Sequence, residues 1–193
     1  MKHQSLINEN IQDLVFLATN LTQEQRRNTE KIALAAANTI KIGGSIFWCG
    51  NGGSAADAQH LSAELIGRLV NNREPLSSLA LNSDIAALTC IANDFGYTEL
   101  FARQLTGLGK AGDLIIVLST SGNSENILRV IDVAKKSNIT TAALLGNNGG
   151  GARGKSDLEI IIESNMTARI QELHKLIGHT ICQIIERELG YPN

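Results

Sequence analysis

The run Leu114-Ile115-Ile116-Val117-Leu118 is apolar at every position and leads directly into Ser119-Thr120-Ser121-Gly122-Asn123-Ser124 and then a helical pattern. Alternate residues of a strand point to opposite faces, so a strand apolar throughout must be covered on both sides. Parallel sheets sandwiched between helices meet that demand. Further β-rich runs fall at 45–49, 78–81, 141–145 and 158–162, and helical stretches at 55–70, 85–92, 99–108, 124–137 and 167–189. Strands alternating with helices of this length predict a doubly wound parallel α/β sheet. In such sheets ligands bind beyond the carboxyl ends of the strands, which directs attention to the loops after Cys49, Leu81, Leu118 and Leu145.

A chain of 193 residues fits one domain, residues 1–193, and no internal repeat, low-complexity tract or linker divides it. Residues 1–42 read as two helices before the first strand. Leu6, Ile7, Ile11, Leu14, Val15 and Ala18 form an apolar stripe, and Thr22 with Gln25 forms a capping box for a second helix to about Lys41. These helices lie outside a minimal βαβ core, so their apolar stripe is expected in an oligomer interface. The net charge of -2 gives no global attraction to nucleic acid, and an aromatic content of 4% leaves little for a base-stacking platform. No apolar run approaches the ~20 residues of a membrane span, and Cys49, Cys90 and Cys182 are scattered. We expect a cytoplasmic protein in which all three cysteines behave as small buried hydrophobes.

Two loops carry chemistry. In Ser119–Ser124, hydroxyls and free N–H groups at a helix N-terminus suit an anion, and Gly122 permits close approach or positive φ. No lysine or GxxxxGK[ST] pattern is present, which favours a monophosphate ester over a metal–triphosphate. Taken alone, the string also suits a serine-rich turn with Ser124 as N-cap. The loop Gly50-Asn51-Gly52-Gly53-Ser54 can bring backbone amides to a ligand, with Asn51 and Ser54 available to sugar hydroxyls. A tight turn with Ser54 as N-cap fits it equally well. The segment Gly149-Gly150-Gly151-Ala152-Arg153-Gly154 matches GxGxxG nominally, but it starts several residues after its strand and is expected to be a surface turn.

His60 and Glu64, four apart, share one helix face and can hold one metal or one substrate. The last helix supplies Gln171, His174 and His179. Gln171 and His179 are roughly 80° apart in azimuth and two turns apart along the axis. A packed or solvated role is the default for His174, and Glu172 and Glu186 are expected to be solvated helix charges.

The combination of residues 49–54, 58–64 (Ala-Gln-His-Leu-Ser-Ala-Glu), 92–96 (Ala-Asn-Asp-Phe-Gly), 119–124 and 169–174 (Arg-Ile-Gln-Glu-Leu-His) resembles the phosphoheptose isomerases of the sugar-isomerase (SIS) domain superfamily. The resemblance covers essentially the whole chain. It implies a flavodoxin-like, doubly wound five-stranded parallel sheet (the SIS fold) with extra N-terminal helices, and a homotetramer with sites at subunit interfaces. It implies one Zn2+ per subunit on His60, Glu64, Gln171 and His179. Substrate contacts carry over to Asn51, Gly52, Gly53, Ser54, Glu64, Asn93, Asp94, Ser119, Thr120, Ser121, Ser124 and Gln171. One departure is Ala168, where some members carry an aspartate.

The implied reaction converts sedoheptulose 7-phosphate into D-glycero-D-manno-heptose 7-phosphate through an enediol, feeding heptose biosynthesis for lipopolysaccharide or other surface glycans. Glu64 and His179 are the candidate catalytic pair, Glu64 as base, His179 as acid partner, zinc as a supporting ion. Metal ligation and proton transfer compete for the same lone pairs. Either the metal is held loosely, another group takes the proton, or Glu64 uses its second oxygen. The alternative is a non-enzymatic SIS protein that binds the replication initiator; it shares Ala58-Gln59-His60 and residues 91–94 but lacks counterparts of Glu64 and His179.

Overall fold

The computed structural model describes residues 3–70 and 72–191. Two helices, α1 (Gln4–Thr19) and α2 (Gln23–Lys41), precede the alternation β1 (Ile46–Gly50), α3 (Gly53–Ile66), β2 (Ser78–Ala80), α4 (Ile85–Phe95), α5 (Leu100–Leu108), β3 (Leu114–Ser119), α6 (Glu125–Lys136), β4 (Thr140–Gly146), β5 (Leu158–Ile162) and α7 (Thr167–Glu188). The strands form one sheet in the order β2-β1-β3-β4-β5, every neighbouring pair parallel. The expected flavodoxin-like order is therefore present.

Period-two alternation divides the sheet between two cores. Ile46, Trp48, Leu114, Ile116 and Leu118 face α2, α3 and α7; Phe47, Cys49, Ile115 and Val117 face α4, α5 and α6. The indole N–H of Trp48 would be an unpaired donor in the first core, and it donates to Ser78 Oγ at 2.9 Å. The capping box of α2 is formed, with the Gln25 N–H donating to Thr22 Oγ1 and the Thr22 N–H to Gln25 Oε1. The same helix covers an open sheet edge: the amides of Gln25 and Asn28 donate to the carbonyls of Ile161 and Glu159 on β5. Cys49 and Cys182 are buried as expected. Cys90 is not; it lies on the exposed face of α4.

Helix α3 ends at Ile66, four residues before the apolar pattern does, for a tertiary reason. Arg73 turns back under its C-terminus and donates to the carbonyls of Glu64 and Leu65, both at 2.8 Å. Its Nε–H donates to Glu186 Oε1 on α7 at 2.8 Å, and both side chains are fully buried. Glu186 also accepts the Leu69 N–H. The expectation of a solvated Glu186 is thus overturned: this carboxylate binds α7 to the cap of α3. Glu172 instead accepts from Arg169, which also donates to the Asn10 carbonyl and so ties α1 to α7.

Removing one member of a buried ion pair leaves the other charged, desolvated and unpaired. Glu186→Ala should lower the unfolding free energy by about 3–5 kcal/mol, read as a shift of the urea midpoint. A change below about 1 kcal/mol, the value of an exposed pair, would contradict this role.

Candidate active site

The sheet reverses its winding between β1 and β3, so the loops leaving these adjacent strands open a crevice at the switch point. These are the two loops marked in the sequence. Side chains stitch them together: the Asn51 amide donates to Asn126 Oδ1, and the Asn126 amide to Asn51 Oδ1, both at 2.9 Å. Tyr97 Oη–H also donates to Asn51 Oδ1. Asn51 therefore spends its side chain on loop shape, leaving its backbone for a ligand. Asn82 extends the β1 ladder, accepting the Gly50 N–H and donating to the Gly50 carbonyl.

In the second loop, Ser119 Oγ accepts the Gly122 N–H and Ser121 Oγ accepts the Asn123 N–H, both at 3.1 Å. Each hydroxyl keeps its own proton to donate. Ser124 occupies the N-cap position of α6 without a side-chain cap bond, so its hydroxyl is not spent on the helix. The first-turn N–H groups of α6 and the positive end of its dipole face the same crevice. Gly52 serves as the N-cap of α3, and Ser54 is buried in the first turn below it.

A second group of candidate side chains lies on the seam where α3 and α7 run side by side. Gly53 meets the Gln171 carboxamide, Leu61 meets Gly178, and Asp57 pairs with Lys175 at 3.0 Å. Between these contacts, His60 Nε2 stands 2.8 Å from His179 Nε2 and 3.4 Å from Glu64 Oε1. The ligand atoms of His60, Glu64 and His179 all lie within 4.8 Å of one another. Two such nitrogens repel if both are protonated. Burial, with the neighbouring His60 adding to it, holds the His179 imidazole below the ordinary histidine range. The neutral ring keeps a lone pair for a metal or a proton. Two imidazoles and a carboxylate form a donor set that suits Zn2+ and fits the predicted ligands.

The structure thus brings together three of the four expected ligands. Gln171 lies eight residues before His179 on α7, against Gly53 at the loop end of the seam. Along α3, Glu64 is about 16 Å from Gly53 at 1.5 Å per residue, so this carboxylate and the Gly50–Ser54 loop occupy separate places within one chain. Asn93 and Asp94 are exposed on α4, where the Asn93 amide donates to Asp94 Oδ1. Sequence reasoning missed Asn82, Asn126, Arg73 and Gly178. No spacing rule marks a buried asparagine that pairs with another loop, or a glycine that lets two helices approach.

The SIS domain family model matches residues 10–146. The chain is 46% identical over 191 residues to phosphoheptose isomerase of Leptospira biflexa, with 98% of both chains covered. The chain belongs to the phosphoheptose isomerase family of SIS-domain proteins. Among solved phosphoheptose isomerases, that of Neisseria gonorrhoeae is similar with a TM-score of 0.88 and 33% identity, covering 95% of this chain and 98% of that one. That of Francisella tularensis gives 0.87 and 34%, covering 96% and 97%.

His174 on α7 is fully buried, and its Nε2–H donates to the Leu145 carbonyl at 3.0 Å. Its Nδ1 has no hydrogen-bond partner among the described residues. Burial lowers its pKa from 6.5 to about 4. The folded chain therefore holds it neutral where the unfolded chain protonates it, and stability must fall as pH drops from about 6.5 towards 4. The loss attributable to His174 should be on the order of 3 kcal/mol. Urea midpoints at pH 7 and pH 4.5 for wild type and His174→Gln check it: the variant should show the shallower decline, and parallel declines would contradict the assignment.

Proposed function

We propose that the chain is an aldose–ketose isomerase that converts sedoheptulose 7-phosphate into D-glycero-D-manno-heptose 7-phosphate. The observation that carries this reading is the meeting of Glu64 and His179, 115 positions apart in the sequence, beside His60 on one helix seam. It is supported by the near full-length similarity to phosphoheptose isomerases. The initiator-binding alternative is not favoured: a scaffold gains nothing from holding two imidazoles and a carboxylate within ligand distance.

In this reading the Ser119–Ser124 loop, with Ser119, Thr120, Ser121 and Ser124, grips the phosphate. Backbone groups of Asn51, Gly52 and Gly53, together with Asn93, Asp94 and Gln171, orient the sugar. Holding the phosphate away from the reacting carbons turns remote binding energy into orientation. Glu64 takes a proton from C1 of the ketose while O2 gains one, giving the enediol. Return of the proton to C2, with loss of the O1 proton, leaves the aldehyde at C1. His179, neutral and next to Glu64, moves the proton between the two oxygens. His60, Glu64 and His179 would hold one Zn2+, which when bound supplies Lewis-acid polarisation of the substrate oxygens. Glu64 has two carboxylate oxygens, so ligation through one leaves the other to act as base.

The separation along α3 between Glu64 and the Gly50–Ser54 loop points to a site shared between chains. Leu6, Ile7, Ile11, Val15 and Phe16 of α1 are each more than half exposed and form an apolar surface for a second copy. A homotetramer with its sites at subunit interfaces accounts for both observations, and among the described residues no helix is long and apolar enough to cross a membrane.

Following sedoheptulose 7-phosphate by NMR, wild type should produce the aldose. Glu64→Gln and His179→Ala should each lower kcat by at least about 100-fold; full activity in either variant would remove that residue from the mechanism. The double substitution Ile11→Glu with Val15→Glu should reduce the assembly seen by light scattering and abolish turnover together. A fully active monomer would contradict the shared site.

A further inference from the structure

The glycine-rich segment after β4, expected from its sequence to be a surface turn, exposes Gly151, Arg153 and Gly154 and is also anchored inward. It forms a 3-10 turn over Gly150–Ala152 whose Ala152 is fully buried in the core facing α4, α5 and α6. Its exposed edge lies against the phosphate loop. The Ala152 N–H donates to the Gly122 carbonyl at 2.9 Å, and the Gly151 N–H to Asn123 Oδ1 at 2.8 Å. A Cβ on Gly150 would stand 2.4 Å from the Ser121 carbonyl oxygen and 2.6 Å from Asn123 Oδ1. A Cβ on Gly146, the last residue of β4, would stand 2.5 Å from the Thr120 oxygen, and one on Gly122 only 1.9 Å from the Gly149 oxygen.

These contacts share a direction. The carbonyls of Thr120, Ser121 and Gly122, three in succession, all lie against Gly146, Gly150 and Ala152. An anion site works only if N–H groups and hydroxyls point at the ligand and carbonyl oxygens point away. Side chains at Gly146 or Gly150 would occupy the space those oxygens need. Gly150 also has φ +53°, a left-handed conformation in which a side chain is strained.

We propose that Gly146 and Gly149-Gly150-Gly151, tethered through Asn123, form a backing that sets the polarity of the phosphate loop. They are positioning residues for the phosphate end of the substrate and take no part in the proton transfers. This inference rests on the reading of Ser119–Ser124 as the phosphate grip and adds how that grip is held.

The test titrates inorganic phosphate into wild type, Gly150→Ala and Asn123→Ala, followed by 31P NMR, alongside KM and kcat for sedoheptulose 7-phosphate and thermal midpoints. Phosphate affinity should fall at least about tenfold in Gly150→Ala and about fivefold in Asn123→Ala, the loss of one hydrogen bond. KM should rise in parallel, with kcat at saturation within about twofold of wild type. Asn123 is exposed, so its variant carries the test if Gly150→Ala does not fold. Unchanged phosphate affinity in both variants, or a fall confined to kcat, would overturn the inference, as would a wild type that binds no phosphate. The titration reads the loop alone, so a chain that binds phosphate without turning over the sugar would overturn the isomerase reading and not this one.

Discussion

Gly178 lets α7 lie so close to α3 that a Cβ at this position would stand 2.4 Å from Leu61 Cδ1, in a part of the core with no exposed surface. That approach is what makes the cluster possible. His60 and Glu64 hang from one helix and His179 from the other, and their ligand atoms meet only while the two backbones keep this spacing. Polar clamps hold the seam around the cluster. Asp57 with Lys175 lies on its loop side, and Arg73 with Glu186 lies beyond it, fastened to the carbonyls of Glu64 and Leu65. A buried pair of this kind is weak evidence for net stability. Its value here is geometric, because Arg73 grips the backbone of the proposed base itself.

The chain separates two tasks by distance. The switch-point loops form one end, where asparagine pairs and glycine contacts fix backbone polarity for an anion. The seam forms the other, where two imidazoles and a carboxylate suit a cation and a proton. With about 16 Å of α3 between Gly53 and Glu64, the proposed assembly through the exposed apolar α1 would bring one chain's loop to another chain's cluster.

Much of this was legible in the sequence because it follows from periodicity. The fully apolar run at 114–118 foretold a strand covered on both faces, and Thr22 with Gln25 foretold the start of α2. The four-residue spacing of His60 and Glu64 placed them on one face, and the family resemblance supplied His179. What was not legible depends on partners distant in sequence. Glu186 looked like a surface charge until Arg73 folded beneath α3, and Cys90 sat in an apolar pattern whose outer face carries no cover in the single chain. The triple glycine at 149–151 was set aside for starting several residues after its strand, although Gly150 lies against the carbonyl of Ser121 in another loop. Such roles are set by three-dimensional approach, which no local pattern encodes.

The most direct measurement is zinc affinity of metal-free Gly178→Ala, by calorimetry, with circular dichroism to confirm the fold. Displacing Leu61 and α7 should weaken zinc binding roughly tenfold or more while secondary structure is retained. Wild-type zinc affinity in a folded Gly178→Ala chain would contradict the claim that the α3–α7 spacing builds the site.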